Sequence, residues 1–424
     1  MDTIFALSSG APPAGIGIIR ITGPATRSAL DAVAGLVPAP RKATRARFRS
    51  ADGQQLDDGL VLFFPGPHSV SGEDLGELHC HGGRAVIAAL EAELAGIAGC
   101  RRAQPGEFTR RAFANGQIDL AEAEGLGDLL SAETEIQRRS AMAMVGGQFS
   151  QKITAWRTQL LALSAELEAD LDFSEEDEVA GLPPSFFAAL GHLSDELRST
   201  LAAPFAETVK EGFRVALAGP PNAGKSTLFN ALVESEAAIT ADIAGTTRDV
   251  LVKPVAIAGI PFSFVDMAGL RDETSDQIEA VGISRAQAEI ARADLVLWLG
   301  PEGQGPDGSW EVDAQTDRAD VPRKRSPDMS VSAVSGEGME QLRAALLERA
   351  HLAMPAPGEA ALNRRQRERL AEALEALTGA QDHSDPLLIA EHLRLARLAF
   401  DALLGNTATE EVLDAIFGRF CLGK

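Results

Sequence analysis

The stretch 219-GPPNAGKS-226 has the form G-x-x-x-x-G-K-S. It stands between an apolar run, 213-FRVALAG-219, and a segment with helical spacing, 225-KSTLFNALV-233. That context points to phosphate binding. Its glycines let backbone N–H groups face phosphate oxygens, Lys225 reaches the outer phosphates, and Ser226 supplies a Mg²⁺ ligand, while the start of a helix favours an anion. Asn222, Ala223, Gly224 and Thr227 complete the candidate nucleotide loop.

Three further stretches suit the same nucleotide. Asp266 and Gly269 lie in 266-DMAG-269 at the end of the apolar run 262-FSFVDMAG-269. They suit an aspartate holding Mg²⁺ through water and a glycine whose N–H meets the γ-phosphate. Between these motifs, 242-DIAGTTRD-249 offers Thr247 as a Mg²⁺ ligand when a γ-phosphate is present, with Thr246 beside it. A guanine reader needs a carboxylate for the exocyclic amine and ring N–H, commonly written N-K-x-D. The candidate here is Asp317 in 314-AQTD-317, or the later 317-DRAD-320, with the Asn and Lys missing. Ser332 and Ala333, in 332-SAV-334 before Gly336, fit a loop whose backbone touches guanine. Position 270, where many such enzymes carry a water-orienting Gln, is Leu270, which polarises nothing. Two residues are placed to compensate: Asn222 as a ligand for a monovalent cation beside the phosphates, and Glu279, heading a helix, as a water-orienting carboxylate.

These residues need elements to hold them. Alternating strand-like and helix-like segments between 211 and 352, among them 277–293 and 294–300, predict a mostly parallel sheet with flanking helices. On either side the text turns to Ala, Leu, Glu and Gln at helical spacing, over 118–210 and 353–424, as for a helical domain interrupted by an inserted one. Residues 1–117 read as a separate α/β unit, with strands at 16–21 and 60–64 and a helix at 84–97. The predicted fold is therefore multidomain, α/β plus all-α.

Composition narrows the function classes. With 61 Asp and Glu against 39 Lys and Arg, the formal charge is −22, which excludes non-specific coating of nucleic acid. Any RNA contact would use a local patch such as Arg110-Arg111 or Arg364-Arg365, or a partner's surface. Cys80, Cys100 and Cys421 are too few and scattered for a disulfide framework or a zinc site. The N-terminus MDTIFALSSG has neither the basic region nor the apolar run of a secretory signal, and no long apolar run follows, so a cytoplasmic protein with no membrane role is expected.

Beyond the nucleotide motifs, 71-SGEDLGELHCHGG-83, 105-PGEFTRRAFANGQIDLAEAEG-125, 171-LDFSEEDE-178 and the terminal Cys421-Leu-Gly-Lys424 are distinctive. Together with 2-DTIFALSSGAPPAGIGIIRITG-23, they make the chain resemble, over essentially its whole length, the MnmE (TrmE) family of potassium-activated GTPases. That family modifies the wobble uridine of certain tRNAs. The resemblance implies an N-terminal domain that dimerises and binds a 5-formyl- or 5,10-methylene-tetrahydrofolate, and an FAD-containing partner, MnmG (GidA). It assigns K⁺ to Asn222 with oxygens of Ala241, Ile243 and Thr246, Mg²⁺ to Ser226 and Thr247, and the catalytic water to Glu279. The folate contacts fall on Arg20, Glu77 and Lys424, with Gln117 where the family has a lysine, and Cys421 is the thiol required for modification. The rival class is a GTP-dependent interaction switch such as a ribosome-assembly GTPase, and the irregular 314-AQTD-317 keeps an ATP-using P-loop enzyme in view.

Overall fold

The computed structural model describes residues 2–173, 182–202, 206–234, 251–267, 288–354 and 359–423. They fall into two compact units, one drawn from 1–127, 150–157 and 397–424, the other from 128–149 and 158–396.

The first unit is built on six strands: β1 (Thr3–Leu7), β2 (Ala14–Thr22), β3 (Thr44–Arg49), β4 (Gln55–Phe64), β5 (Leu75–Gly82) and β6 (Cys100–Arg102). They are ordered β3-β4-β5-β2-β1-β6, with every pairing antiparallel except β1 with β6. Side chains alternate across a strand, so Ile19 and Ile21 of β2, with Leu78 and Cys80 of β5, fill one face. Helices α1 (Thr26–Ala34) and α2 (Arg84–Gly96) cover that face with Leu30, Val33, Leu90 and Leu94. Arg20 and Glu77 are cross-strand partners in register, between these core positions. Helix α3 (Glu107–Ala114) adds Phe108 to a smaller cluster with Ile4, Ala6 and Ala103.

Helix α4 (Leu120–Leu130) follows, then α5 (Glu135–Val145), α6 (Gln148–Phe173) and α7 (Pro184–Leu201). Thr134 and Gln137 form a capping box that fixes the start of α5, satisfying N–H groups the first turn cannot bond internally. The Gln137 amide also donates to the Val209 carbonyl at 3.0 Å, in the short helix α8 (Ala206–Glu211).

Gly212 turns the chain from α8 into the second sheet. Its strands are β7 (Phe213–Ala218), β8 (Leu251–Ile257), β9 (Ile260–Asp266), β10 (Leu295–Trp298), β11 (Trp310–Asp313) and β12 (Met329–Ser330). The order is β12-β11-β10-β7-β9-β8, parallel throughout except β8 against β9. Successive residues of 213-FRVALA-218 feed opposite faces: Phe213, Val215 and Leu217 meet helices α9 (Lys225–Glu234) and α10 (Met339–Ala353), while Ala216 and Ala218 join Val265 and Val296. Covering both faces is what a parallel sheet requires.

Three helices close the chain: α11 (Arg364–Asp382), α12 (Pro386–Leu404) and α13 (Glu410–Phe417). Within the second unit α11 packs along α7, burying Leu370, Ala373 and Leu377 with Leu190, Leu193 and Leu197. In the first unit α13 lies against α3, where the rings of Phe113 and Phe417 are 5.9 Å apart. Gly106 sits at φ 70° with the Phe417 carbonyl where a Cβ would be, so only glycine permits that approach. No helix among the described residues is long and apolar enough to cross a membrane. Burial sets the energetic scale. Leu94→Ala, at a site with no exposure, is expected to destabilise the first unit by about 2–5 kcal/mol. Val70→Ala, at 68% exposure, should change its stability by no more than about 0.5 kcal/mol. Denaturant unfolding of both variants checks the difference.

Candidate functional site

Strand β7 lies between β9 and β10, so loops leaving the carboxyl ends of these parallel strands converge, the usual place for a ligand in such a sheet. The first of them is 219–224. Gly219 and Gly224 have φ of 150° and 90°, and Asn222 stands at 63°, a left-handed conformation costing a non-glycine residue on the order of 1 kcal/mol. Lys225 opens α9 and is buried, with Nζ donating to the carbonyls of Gly219 at 2.9 Å and Pro220 at 2.8 Å. Ser226 and Thr227 are exposed at the mouth of the loop.

Register brings the second motif to the first. Asp266, the last residue of β9, is paired with Leu217 near the end of β7. Its Oδ2 accepts a hydrogen bond from Ser226 Oγ at 2.7 Å. Two oxygen donors this close, one of them a buried carboxylate, fit a hard divalent cation.

The turn after β11 carries 314-AQTD-317. Asp317 Oδ1 accepts from Ser332 Oγ at 2.6 Å, and that hydrogen bond holds the Asp317 carboxyl below its usual range, so it is anionic at neutral pH. Ser332 is fully buried and its Oγ also accepts from the backbone N–H of Ser335 at 3.0 Å, which fixes 332–335 beneath the carboxylate. Ala333 is half-buried in the same turn. Gln315 stands at φ 60°, and its Nε2 donates to the Asn222 carbonyl at 3.3 Å. Phosphate loop, Asp266, Asp317, Ser332 and Ala333 are thus gathered at one end of one sheet. Gly269, Leu270, Ala241, Ile243, Thr246, Thr247 and Glu279 lie outside the described residues.

The first unit holds the other candidates. Arg20 Nε donates to Glu77 Oε1 at 2.9 Å, and His79 Nε2 lies 3.0 Å from Glu77 Oε2. The His79 contact first, then the Arg20 guanidinium, lowers the Glu77 carboxyl below its ordinary value against the opposing effect of burial. Gln117 is exposed beside the 71–72 turn, its backbone N–H bonded to the Ala112 carbonyl at 2.8 Å. Cys421 is an exposed free thiol. Two residues on, the Gly423 carbonyl accepts from Ser8 Oγ at 2.8 Å, and Gly423 at φ 88° lies against the Leu7 carbonyl with no room for a Cβ. The tail therefore docks at the end of β1, whose Ala6 pairs with Arg20. Lys424 lies outside the described residues.

One expectation changes. Arg110-Arg111 is not a free cationic patch: Arg110 pairs with Glu410 and Asp414, and Arg111 with Asp2, Glu73 and Glu107. The Glu77 cluster makes a pH test available. Because its folded-state pKa is depressed, its contribution to stability is fully present above the unfolded value of about 4.5 and is lost as pH falls through the folded value. Glu77→Gln should therefore destabilise the first unit by about 1 kcal/mol at neutral pH, the scale of a partly screened ion pair, with the deficit shrinking in acid. Denaturant unfolding near pH 7 and near pH 3.5 checks this.

Comparison with known proteins agrees with this layout. The family model of the MnmE helical domain matches residues 120–421, and that of the GTP-binding protein TrmE N-terminus matches 3–117. Proteins named tRNA modification GTPase MnmE from Novosphingobium aromaticivorans and Erythrobacter litoralis are 59% and 56% identical, each aligned over 100% of both chains. The protein of that name from Rhizorhabdus wittichii is 53% identical over 100% of this chain and 97% of its own. Among solved structures, the G domain of the T. maritima FeoB iron transporter is 25% identical over 32% of this chain and 98% of its own, at a TM-score of 0.23, too low to establish a shared fold. Full-length identity at this level, with both family models in sequence order, shows that the chain belongs to the MnmE family of tRNA modification GTPases.

Proposed function

We propose that this chain hydrolyses GTP to GDP and phosphate and uses the cycle to drive a C5 aminomethyl-type (carboxymethylaminomethyl) modification of the wobble uridine of certain tRNAs. The observation that carries the reading is the gathering of Lys225, the Ser226–Asp266 pair and the anionic Asp317 at the carboxyl ends of one parallel sheet. A carboxylate suits the amine and ring N–H of guanine, and adenine offers no such pair of donors.

Each residue then has a task. Backbone N–H groups at the head of α9 and the buried Lys225 ammonium bind the phosphates. Ser226 and Thr247, with Asp266 acting through water, would hold Mg²⁺, which when bound would neutralise charge on the phosphate oxygens. Asn222, exposed on the loop, gives an amide oxygen to K⁺ with Ala241, Ile243 and Thr246 as further ligands. Glu279 orients the attacking water, a task Leu270 leaves undone.

In the first unit, Arg20 and Glu77 present a donor beside an acceptor on one strand pair, which fits a folate ring and its anionic tail, and Gln117 and Lys424 are assigned as further folate contacts. The one-carbon unit comes from that folate and redox chemistry from FAD in an MnmG-type partner. Cys421 supplies a thiol for the modification step. The assembly is a homodimer in the cytoplasm that receives tRNA largely on its partner's surface, consistent with the acidic balance and the neutralised Arg110 and Arg111.

GTP and ATP hydrolysis in K⁺ and Na⁺ buffers of equal ionic strength test the first half. GTP-selective turnover accelerated by K⁺ is expected, and Asp317→Asn should weaken GTP binding by roughly 10-fold to 100-fold, the scale of hydrogen bonds to a charged group. Equal use of ATP, or indifference to the cation, would sink the site assignment. Nucleoside analysis of tRNA from a deletion strain tests the second half: normal wobble uridines with disturbed ribosome profiles would favour the interaction-switch class.

A further inference from the structure

The base-reading turn opens on Ala314, whose methyl packs against the core of the second unit and offers no hydrogen bond. From there to β12 the chain runs through 314–328 with no helix or strand of its own, and a connection of that length has few internal bonds to stiffen it. Arg323 supplies them. Its Nη2 donates to the Thr316 carbonyl at 2.5 Å and to the Arg318 carbonyl at 3.1 Å, so it takes the carbonyls of the two residues that flank Asp317. Its Nη1 stands 3.7 Å from Asp313 Oδ2, a nearly buried carboxylate at the end of β11. A guanidinium presents its donors in fixed directions in one plane, which suits it to brace a turn against the strand that leads into it. Arg318, the other cation of this loop, is turned to Asp320, with bonds of 3.1 and 2.6 Å.

The grip reaches the carboxylate through the backbone. A trans peptide points its C=O and N–H in opposite directions, so a donor that fixes the Thr316 carbonyl also fixes the direction of the Asp317 N–H. That N–H bonds the Asp317 carboxylate, which Ser332 Oγ also holds at 2.6 Å. The turn itself is closed by the Arg318 N–H donating to the Gln315 carbonyl at 3.0 Å, inside the span that Arg323 bridges. We propose that Arg323 is a positioning residue for base recognition: its guanidinium holds the backbone around Asp317 so that the carboxylate meets the exocyclic amine and ring N–H of guanine together. The inference rests on the reading of the site as one for a guanine nucleotide. Two donors on one rigid base demand a fixed carboxylate, whereas a base with a single donor tolerates one that turns. Arg323 therefore acts on selectivity between bases as well as on affinity.

The experiment displaces fluorescently labelled GDP from the full chain with unlabelled GDP or inosine diphosphate, which lacks the exocyclic amine. It is run on wild type, Arg323→Met, Asp317→Asn and the double variant, with melting midpoints recorded for each. Met keeps the apolar stem and removes every donor. In Arg323→Met, GDP binding is expected to weaken roughly threefold to tenfold, the scale of one hydrogen bond, and inosine diphosphate binding to weaken less, so the preference between them narrows. The narrowing should persist at high salt, which screens a direct effect of the Arg323 charge on Asp317 but not a grip on carbonyls. In the Asp317→Asn background, Arg323→Met should leave the preference where Asp317→Asn alone puts it. A wild-type preference in Arg323→Met, a narrowing that salt abolishes, or a further narrowing in the double variant would overturn the positioning role and leave the guanine reading intact. Wild-type protein that binds GDP no better than inosine diphosphate overturns that reading, and this inference with it.

Discussion

A buried ammonium must be met by oxygens, and Lys225 imposes that requirement on everything around it. The carbonyls that meet it belong to Gly219 and Pro220, six and five residues earlier, so the chain must curl tightly enough to aim them inward. Only glycine adopts φ 150° readily, and at Gly219 a side chain would also press to within 3.0 Å of the Gly300 backbone nitrogen. The same curl delivers the chain to the head of α9, and the start of a helix favours an anion. Loop shape, helix start and central strand are in this sense one object, and the flanking parallel strands deliver Asp266 and the 314–317 turn to it.

What could be read from the chain beforehand follows from how far apart the interacting residues lie. The phosphate loop, the strand before it and the helix after it span about twenty residues, and periodicity with glycine spacing suffices to place them. The apolar runs expected as strands at 16–21 and 60–64 fall inside β2 and β4, and the helix expected over 84–97 is α2, because burial of one face imposes a period that survives in the sequence. The strand that carries Asp266 ends there, where its pairing with β7 and β8 also ends.

Long-range pairings left no such trace. Gln315 and Asn222 are 93 residues apart, and nothing in 314-AQTD-317 shows that the glutamine contacts the phosphate loop rather than merely standing in for a lysine. Arg110 reads as half of a basic patch until Asp414, 304 residues away, is found against it. Charge along a chain is visible; charge pairing is a property of the fold, and with 61 Asp and Glu against 39 Lys and Arg carboxylates are in excess. Arg20 and Glu77 form the intermediate case, because strand alternation places both on one face but only the register of β2 against β5 sets them opposite each other.

The bond from Ser8 to Gly423 joins residues 415 positions apart. During synthesis Ser8 is made long before Gly423, and the ribosome must add 415 further positions before that docking place is filled. For all that time the end of β1 offers water, or any passing chain, the hydroxyl and the ledge that Gly423 will occupy. The unit begun first is therefore completed late, and a nascent chain arrested anywhere in the nucleotide-binding module still lacks the segment with the thiol that docks on β1.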